Sequence, residues 1–279
     1  MKIPRKELGQ NFLRNQDKID ELIETSQPEP HDIYLEIGPG EGVITKNLAQ
    51  KVRHIIAVEI DSNLTNNLRS SLKKYKNTEF INEDILRYLN SCYHDSNHGS
   101  KFNKIIGSIP YQITSPFLHQ LADLITRIKI DSITLLIQKE VANKIIAEAP
   151  SASYLSNFVQ TFFYVEFTAT VPKEVFFPIP KVDGAIVKLQ PKTTSYSRRS
   201  NNEVGIPTSD SLVGTSGQLL TTNSTEWSAF LHQGFKFPRK MLKKVFDEKI
   251  LKEAGINPSQ RPQEINPEGW LRLYKYTRR

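Results

Sequence analysis

The stretch IYLEIGPGEGVITKNL, residues 33–48, decides the fold. It begins with an apolar run typical of a buried strand, places glycine at Gly38, Gly40 and Gly42, and continues with helical spacing. Glycines allow the backbone to approach a ligand closely, and the start of a helix offers free N–H groups. The spacing is G-x-G-x-G rather than the G-x-G-x-x-G of dinucleotide sites, and an acid, Glu36, precedes it. We therefore predict a strand, turn and helix that hold a ligand carrying an ammonium group and no phosphate.

Four further runs rich in Ile and Val alternate with polar stretches of helical spacing, such as Val43 to Lys51 and Ser62 to Tyr75. Near-continuous apolar strands between helices are typical of a parallel sheet that is covered on both faces. Two later strand candidates, 161–171 and 183–189, look like an added hairpin, so we expect a mixed, mainly parallel sheet. The runs assigned to its parallel part are 33–37, 55–60, 79–81, 104–107 and 132–137.

The composition changes after the last of these strands. In 191–225, 14 of the 35 residues are Ser or Thr and few are apolar, which is typical of a segment that cannot offset its ordering entropy. Helical spacing returns from Trp227 to Phe246 and in the segments ILKEAGI and PEGWLRLYKYT. We therefore predict an α/β domain over 1–190, a polar linker or insertion over 191–225, and a small helical domain over 226–279.

The overall charge favours a polyanionic partner. The net charge is +7 and the pI is about 9.3, and basic residues concentrate near both ends of the chain. No apolar run is long enough to span a membrane, and the N-terminal segment lacks the apolar core of a secretion signal. The single cysteine, Cys92, excludes an internal disulfide and suits a reducing compartment. We expect a cytoplasmic protein without a membrane segment.

Cys92, His94 and His98 have a spacing that a metal site would allow. They lie in the polar stretch SCYHDSNHG, which we interpret as an ordinary loop. We therefore expect no metal ion.

Acidic side chains follow two more of the predicted strands. Glu59 ends the second strand, where a carboxylate can accept hydrogen bonds from both hydroxyls of a ribose. Asp84 follows the third strand and can accept a hydrogen bond from an exocyclic amine such as that of adenine. Together with the glycine segment, these acids predict an adenosine-containing ligand. The glycine spacing favours S-adenosylmethionine over NAD.

The fourth strand ends at Ser108-Ile109-Pro110-Tyr111. An exocyclic amine of a nucleobase is a poor nucleophile, because its lone pair is delocalised into the ring. A side-chain oxygen and a main-chain carbonyl that accept its N–H groups would localise that lone pair, while Tyr111 stacks on the base and Pro110 fixes the geometry. Taken alone, the motif is also compatible with a turn whose tyrosine packs in the core.

These motifs and several others are similar to those of the ribosomal RNA adenine dimethyltransferase family. The similarity runs from about residue 5 to 190 and resumes in the C-terminal region. The segments that carry it are GQNFL (9–13), EIGPGEG (36–42), VEID (58–61), INEDIL (81–86), SIPYQITSP (108–116), QKEVANKI (138–145), FFPIPKVDGAIVKL (176–189), FKFPRKMLKKVF (235–246) and AGINPSQRPQEI (254–265).

The resemblance implies the fold and the cofactor. The fold would be a Rossmann-like class I S-adenosylmethionine-dependent methyltransferase domain with a mixed, mainly parallel sheet, followed by a small all-α domain. Residues at the positions of the family motifs would bind S-adenosylmethionine, with the glycines at its amino-acid part, Glu59 at its ribose and Asp84 at its adenine. The implied donor-binding residues are Asn11, Leu13, Gly38, Gly40, Glu59, Ile60, Asp84, Ile85 and Ser108.

The resemblance also implies the reaction and the partner. Two adjacent adenines in the 3′-terminal hairpin loop of small-subunit (16S) rRNA would each receive two methyl groups on N6, in a pre-30S particle and by a monomeric enzyme. Phe176 matches the family aromatic that stacks on the target base opposite Tyr111. The implied catalytic residues are Ser108, Ile109, Pro110, Tyr111 and Phe176, and the implied RNA-binding residues are Arg5, Lys6, Lys181, Lys236, Arg239, Lys240 and Lys243.

Four features depart from the family pattern, and three other functions stay open. Gln112 follows Tyr111 where Asn is usual, and SASYLSNFVQ (151–160) abbreviates the family's Tyr-Gly-Arg-Leu-Ser and lacks its Gly-Arg. Ser108 stands where Asn is usual, and Pro238 stands where an arginine is expected, which removes one rRNA contact. A large-subunit rRNA methyltransferase of the macrolide-resistance type would share the catalytic core, but the C-terminal motifs favour the small-subunit enzymes. Ser108 keeps open a non-catalytic rRNA-binding assembly factor. An NAD-linked oxidoreductase is disfavoured by the glycine spacing.

Overall fold

The computed structural model describes residues 10–94, 101–192 and 224–278. Strands and helices alternate through the first two thirds of the chain, and helices follow. The elements are β1 (Phe12–Leu13), α1 (Gln16–Thr25), β2 (Ile33–Ile37), α2 (Val43–Leu48), β3 (His54–Glu59), α3 (Ser62–Ser71), β4 (Thr78–Asn82), α4 (Ile85–His94), β5 (Lys104–Ser108), α5 (Tyr111–Leu124), β6 (Ser132–Gln138), α6 (Lys139–Ile146), α7 (Tyr154–Phe162), β7 (Phe163–Val171), β8 (Phe176–Phe177), β9 (Gly184–Pro191), α8 (Ser224–Phe235), α9 (Glu248–Glu253) and α10 (Pro267–Thr277).

Among the described residues, seven strands form one sheet in the order β4-β3-β2-β5-β6-β9-β7. The five strands from β4 to β6 are parallel, and β9 pairs antiparallel with β6. The fold class predicted from the sequence, an α/β fold with a mixed, mainly parallel sheet, is therefore confirmed. Strand β2 lies between β3 and β5, so the order of the strands reverses there. Open α/β sheets bind ligands beyond the carboxyl ends of the strands at such a point.

Local sequence explains where the helices begin. Side chains of Asn15, Asp61 and Asn266 each accept a hydrogen bond from a backbone N–H of the helix that follows, at α1, α3 and α10. Asp84 does the same at α4, where its Oδ1 accepts from the N–H groups of Leu86 and Arg87 at 2.9 and 3.1 Å. Such caps satisfy N–H groups that have no partner inside the helix, and each stabilises a helix by about 1 kcal/mol.

The described residues group into two compact units. One takes in the chain up to Ala142 together with Glu166–Pro191, and the other takes in Asn143–Val165 together with the chain from Lys192 onward. Helix α7 thus belongs to the second unit although it precedes residue 190. The predicted domain limits, 1–190 and 226–279, stay a prediction, and most of the predicted linker, 193–223, lies outside the described residues.

The first unit has its core between the sheet and the helices beside it. Apolar side chains from α1, α2 and the centres of β2, β3 and β6 pack there with almost no exposure to solvent. The near-continuous apolar runs in the sequence are explained by this burial, because both faces of each central strand are covered. The residues of this core include Ile19, Leu22, Tyr34, Ile55, Ile106, Leu136 and Ile186.

The second unit has an aromatic core. Trp227 and Trp270 are both fully buried, and Phe230 packs against each of them with ring centroids 5.8 and 6.0 Å apart. Helix α7 joins this unit through Tyr154, whose ring stacks on His232 at 3.9 Å and whose hydroxyl lies 2.7 Å from Ser228 Oγ. Buried aromatic rings contribute large apolar areas, which stabilises a unit of this small size.

Two expectations about secondary structure were wrong. The predicted helix from Trp227 to Phe246 ends at Phe235, because Pro238 lacks an N–H donor and its ring excludes a continuing helix. The strand predicted over 161–171 begins only at Phe163, because Ser153 caps α7 and the helix continues through Phe162.

No helix in the described part of the chain is long and apolar enough to cross a membrane.

Candidate functional site

A cavity of about 250 Å³ lies at the carboxyl ends of β2, β3, β4, β5 and β6. It therefore occupies the point where the strand order reverses. Most of the residues predicted to bind the methyl donor and the target base line this one cavity. The predicted residues among its lining are Asn11, Gly38, Gly40, Glu59, Ile60, Asp84, Ile85, Ser108, Ile109, Pro110 and Phe176.

The glycine loop after β2 is held by Glu59. The Gly40 N–H donates to Glu59 Oε2 at 3.1 Å, and the Asp61 N–H donates to Oε1 of the same carboxylate at 2.9 Å. Gly40 has φ of +58°, which side chains with a Cβ rarely adopt, and an added Cβ would stand 3.0 Å from the Phe12 ring. The ring of Phe12 therefore covers the loop as closely as glycine permits.

Glu59 is almost fully buried, with 5% of its surface exposed. Burial raises the pKa of its carboxyl above the ordinary value, and the N–H groups of Asp61 and Gly40 oppose part of that shift. Each carboxylate oxygen uses one lone pair on the backbone and keeps another for a ligand. The carboxylate is thus fixed in position and can still accept hydrogen bonds from a diol.

The adenine end of the predicted donor site is formed by β4 and the start of α4. Asp84 caps α4 with Oδ1 only, and Ile85 beside it is buried. Ile60 is 50% exposed although it is apolar, and it lines the same part of the cavity. A carboxylate oxygen beside two apolar side chains can accept from an amine while a flat ring packs between them.

The edge of β5 presents two oxygens beside each other in sequence. The Ile109 N–H donates to the Leu136 carbonyl at 3.0 Å, which continues the pairing of β5 with β6. The Ile109 carbonyl accepts no hydrogen bond from the described residues, whereas the Pro110 carbonyl accepts from Ile113 N–H and Thr114 Oγ1. The Ser108 side chain and the Ile109 carbonyl are therefore the acceptors available at this edge. Tyr111 begins α5, and its side chain lies outside the described part of the structure.

A two-stranded ribbon forms another wall. Strand β1 pairs antiparallel with β8, which sets Leu13 opposite Phe176. Phe176 is only 8% exposed, and its ring lines the cavity and packs in the core of the first unit. Asn11 lines the cavity, whereas the side chain of Leu13 packs against the core and does not line the cavity.

Sequence reasoning missed several residues that line the cavity. Phe12 lay inside the quoted GQNFL motif, but its place over the glycine loop depends on the pairing of β1 with β8, in which Phe12 lies opposite Phe177, 165 residues later in the chain. Gln138 lies at the carboxyl end of β6, and Ser108 lies at the carboxyl end of the neighbouring strand β5. Gln138 could have been inferred, because the ends of parallel strands also led to Glu59 and Ser108. The missed lining residues with polar side chains are Gln10, Glu83, Gln112, Gln138 and Asp183.

The predicted RNA-binding residues fall into three groups. Arg5 and Lys6 lie outside the described residues. Lys181 is exposed on the first unit, in the loop whose neighbours Pro180 and Val182 line the cavity. Lys236, Arg239, Lys240 and Lys243 are all exposed within one short stretch of the second unit.

The metal-site alternative gains no support from the residues that the structure describes. Cys92 is buried in α4, and His98 lies outside the described residues. Within the described ranges, no three potential ligand side chains come together.

Glu36 is fully buried beneath the glycine loop. Burial raises the pKa of its carboxyl to about 7, against a smaller lowering by the side chain and backbone of Thr45. Neither carboxyl oxygen of Glu36 has a hydrogen-bond partner of normal geometry among the described residues, and the same is true of Thr45 Oγ1. The effect of burial on the Glu36 pKa is therefore larger than that of hydrogen bonding. The carboxyl therefore exchanges its proton near neutral pH.

The stability of the protein is expected to fall as pH rises, because of Glu36. The unfolded chain ionises Glu36 above about pH 4.5, whereas the folded protein keeps the proton until about pH 7, so the unfolded state binds fewer protons between these values. Raising the pH from 5 to 8 should cost on the order of 2 kcal/mol in the free energy of unfolding. Glu36→Gln should remove this part of the pH dependence in urea titrations. Equal pH dependence in both proteins would contradict the prediction.

Known proteins are similar to this chain over nearly its whole length. The family described as ribosomal RNA adenine dimethylase matches residues 1–278. A protein named ribosomal RNA small subunit methyltransferase A from Nostoc sp. is 32% identical over 288 residues, covering 97% of this chain and 96% of that protein.

Two solved structures share the fold over nearly the whole chain. The 23S rRNA methyltransferase ErmE is 26% identical, with a TM-score of 0.66, and the alignment covers 96% of this chain and 100% of that one. A dimethyladenosine transferase from Plasmodium falciparum is 23% identical, with a TM-score of 0.74, over 96% of this chain and 98% of that one. The second likeness concerns the fold alone.

Proposed function

Because this chain belongs to the ribosomal RNA adenine dimethylase family, we propose that it transfers methyl groups from S-adenosylmethionine to N6 of adenines in rRNA. The family and the small-subunit methyltransferase relatives identify it as an rRNA adenine dimethyltransferase that acts on 16S rRNA. The finer proposal is that two adjacent adenines of the 3′-terminal hairpin loop each receive two methyl groups. One observation carries the proposal of methyl transfer: the acids Glu59 and Asp84, proposed to bind the donor, and the Ser108 edge, proposed to bind the target amine, line a single cavity.

The residues of this cavity fit the donor. The Gly38 backbone, with φ of +60°, leaves open the space that a Cβ would take 3.5 Å from the Ser108 carbonyl, which gives room for the amino-acid part. Glu59 would accept hydrogen bonds from the ribose hydroxyls and Asp84 from the adenine amine. Asn11, Leu13, Gly40, Ile60 and Ile85 complete the proposed donor site, with Leu13 acting through its backbone because its side chain packs in the core.

The chemistry asked of the protein is positioning. When bound, S-adenosylmethionine supplies a methyl group on an already activated sulfonium. The Ser108 hydroxyl and the Ile109 carbonyl accept the two N–H groups of the target amine, so its lone pair is turned away from the base ring. The rigid Pro110 holds these two acceptors, and the apolar walls exclude water. Alignment of this kind lowers a barrier without any proton transfer by the enzyme before methyl transfer.

The target adenine has to leave its stack to reach the cavity. That costs a few kcal/mol, and least in an unpaired loop. Stacking on an aromatic ring offsets about 1–3 kcal/mol per base. Phe176, whose ring lines the cavity, is proposed for one face of the base, and Tyr111, beside Pro110 in sequence, is proposed for the opposite face.

We propose that the partner is a pre-30S ribosomal particle, and that this protein binds it as a monomer in the cytoplasm. The exposed cations Lys181, Lys236, Arg239, Lys240 and Lys243 would contact phosphates, as would Arg5 and Lys6. Binding that depends on phosphate contacts weakens steeply with salt, so each cation should add to the salt dependence.

A transfer assay separates this function from its rivals. The protein is incubated with methyl-labelled S-adenosylmethionine and either undermethylated small subunits or protein-free large-subunit rRNA. Label in the small subunits supports the proposal. Label in large-subunit rRNA instead would support the second candidate, which the likeness to the 23S rRNA methyltransferase keeps in view. Binding of small subunits without transfer would support a non-catalytic assembly factor.

A further inference from the structure

The segment 236–241 of the second unit is exposed at every residue. It includes two large apolar side chains, Phe237 and Met241, with 42% and 44% of their surfaces exposed. Single exposed apolar side chains are common, but large ones exposed together in a short segment can mark a contact surface. The segment is therefore a candidate contact surface distinct from the cavity.

Both ends of this segment are anchored. On one side, Phe235 packs on Trp270 with ring centroids 5.4 Å apart, and Gly234 lies so close that an added Cβ would stand 2.2 Å from that indole. On the other side, Leu242 is fully buried, and its N–H donates to the Gln260 carbonyl at 2.8 Å. The exposed residues between are thus presented from a rigid base.

Pro238 fixes the turn that carries the ring. The Lys240 N–H donates to the Phe237 carbonyl at 2.9 Å, which closes a four-residue turn with Pro238 as its second residue. Proline favours that position because its φ is already fixed near the required value. The resemblance leads us to expect arginine at position 238. Pro238 therefore removes one cation and instead fixes a turn that begins at the exposed Phe237.

Two lysine ammonium groups lie over the Phe237 ring. The Nζ atoms of Lys236 and Lys240 lie 5.6 and 4.7 Å from the centroid of Phe237. The stretch 236–244 contains five cations and no acid, and within the described residues none of the five forms an ion pair with a carboxylate. The cations are Lys236, Arg239, Lys240, Lys243 and Lys244.

We propose that the Phe237 ring stacks on an unpaired nucleobase of the rRNA substrate while the flanking lysines contact phosphates on either side. This rests on the proposed function and deepens it, since it adds a base-stacking anchor on the second unit. An aromatic ring between cations matches single-stranded RNA, which offers a base face between phosphates. A duplex would not suit the ring, because its bases are stacked on one another. An apolar protein partner is also disfavoured, because it would bury the five cations of 236–244 without supplying any negative charge.

The test compares two exposed apolar side chains of one segment. Affinity for undermethylated small subunits is measured at several salt concentrations for the wild type, Phe237→Ala, Phe237→Trp and the control Met241→Ala. Phe237→Ala should bind about tenfold more weakly, with the slope of affinity against salt unchanged. Phe237→Trp should bind within about twofold of the wild type, and Met241→Ala likewise, since methionine has no ring. Lys240→Ala should instead reduce the salt slope.

The outcomes are distinguishable. Equal losses for Phe237→Ala and Met241→Ala would overturn the stacking role. So would a Phe237→Ala variant whose salt slope falls like that of Lys240→Ala, because the ring would then only position the lysines. Thermal unfolding, equal in all variants, shows that each is folded. If the wild type neither binds nor methylates small subunits, the proposed function fails as well. If the wild type does both and Phe237→Ala binds small subunits as tightly, only the stacking inference fails.

Discussion

Replacing Ser108 with alanine is expected to lower kcat for methyl transfer by about 100-fold and to weaken S-adenosylmethionine binding much less than that. The hydroxyl accepts one N–H of the target amine, and this contact strengthens as positive charge develops on N6. The Ile109 carbonyl, which accepts no hydrogen bond from the described residues, remains as the second acceptor and keeps a residual rate. Single-turnover kinetics with small subunits as substrate measure the effect.

Ser108→Asn is the matched comparison. An amide oxygen also accepts a hydrogen bond and reaches further from the backbone, and the resemblance leads us to expect Asn at this position. The Asn variant should therefore keep a rate well above that of the Ala variant. If Ser108→Ala transfers methyl groups as fast as the wild type, the hydroxyl has no part in the reaction.

Replacing Glu59 with alanine is expected to weaken S-adenosylmethionine binding by about 100-fold. Hydrogen bonds to a charged group contribute about 1.5–3 kcal/mol each, and the proposed ribose contact uses two of them. The substitution also frees the Gly40 and Asp61 N–H groups, which the carboxylate now holds at 3.1 and 2.9 Å, so the glycine loop loses its support. Titration calorimetry with the donor measures the change in Kd.

A control variant separates the loss of an acidic charge in general from the loss of the carboxylate at position 59. Glu79→Ala removes an exposed acid from the neighbouring strand β4 and should leave donor affinity unchanged. An unchanged affinity in Glu59→Ala would refute the ribose assignment. Thermal unfolding of each variant shows whether a loss of binding follows from a loss of the fold.

Much of the donor half of the site could be predicted from sequence. Strands that are apolar throughout, followed by an acid or a glycine, mark the carboxyl ends of parallel strands, and these ends share one edge of a sheet. Glu59, Asp84 and Ser108 each followed from that rule, and the structure brings all three to one cavity. Their roles in binding and catalysis stay predictions.

The remaining features depend on contacts between residues that are distant in sequence. A two-residue strand such as β1 has no periodicity to detect, so its pairing with β8, and the place of Phe12 over Gly40, could not be predicted. Helix α7, by contrast, could have been predicted, because Ser153 caps its start and its apolar residues follow the i, i+3, i+4, i+7 spacing of a helix face, at Leu155, Phe158, Val159 and Phe162. The end of α8 could have been predicted, because Pro238 follows it within three residues.

The most direct test of the proposed reaction identifies its product by mass spectrometry. Undermethylated small subunits are incubated with the protein and S-adenosylmethionine carrying a deuterated methyl group, and the rRNA is digested to fragments and nucleosides. We predict N6,N6-dimethyladenosine at two adjacent positions of the 3′-terminal hairpin loop, each with two deuterated methyl groups. No deuterated methyl group in that loop, or methyl groups on any atom other than N6, would contradict the account.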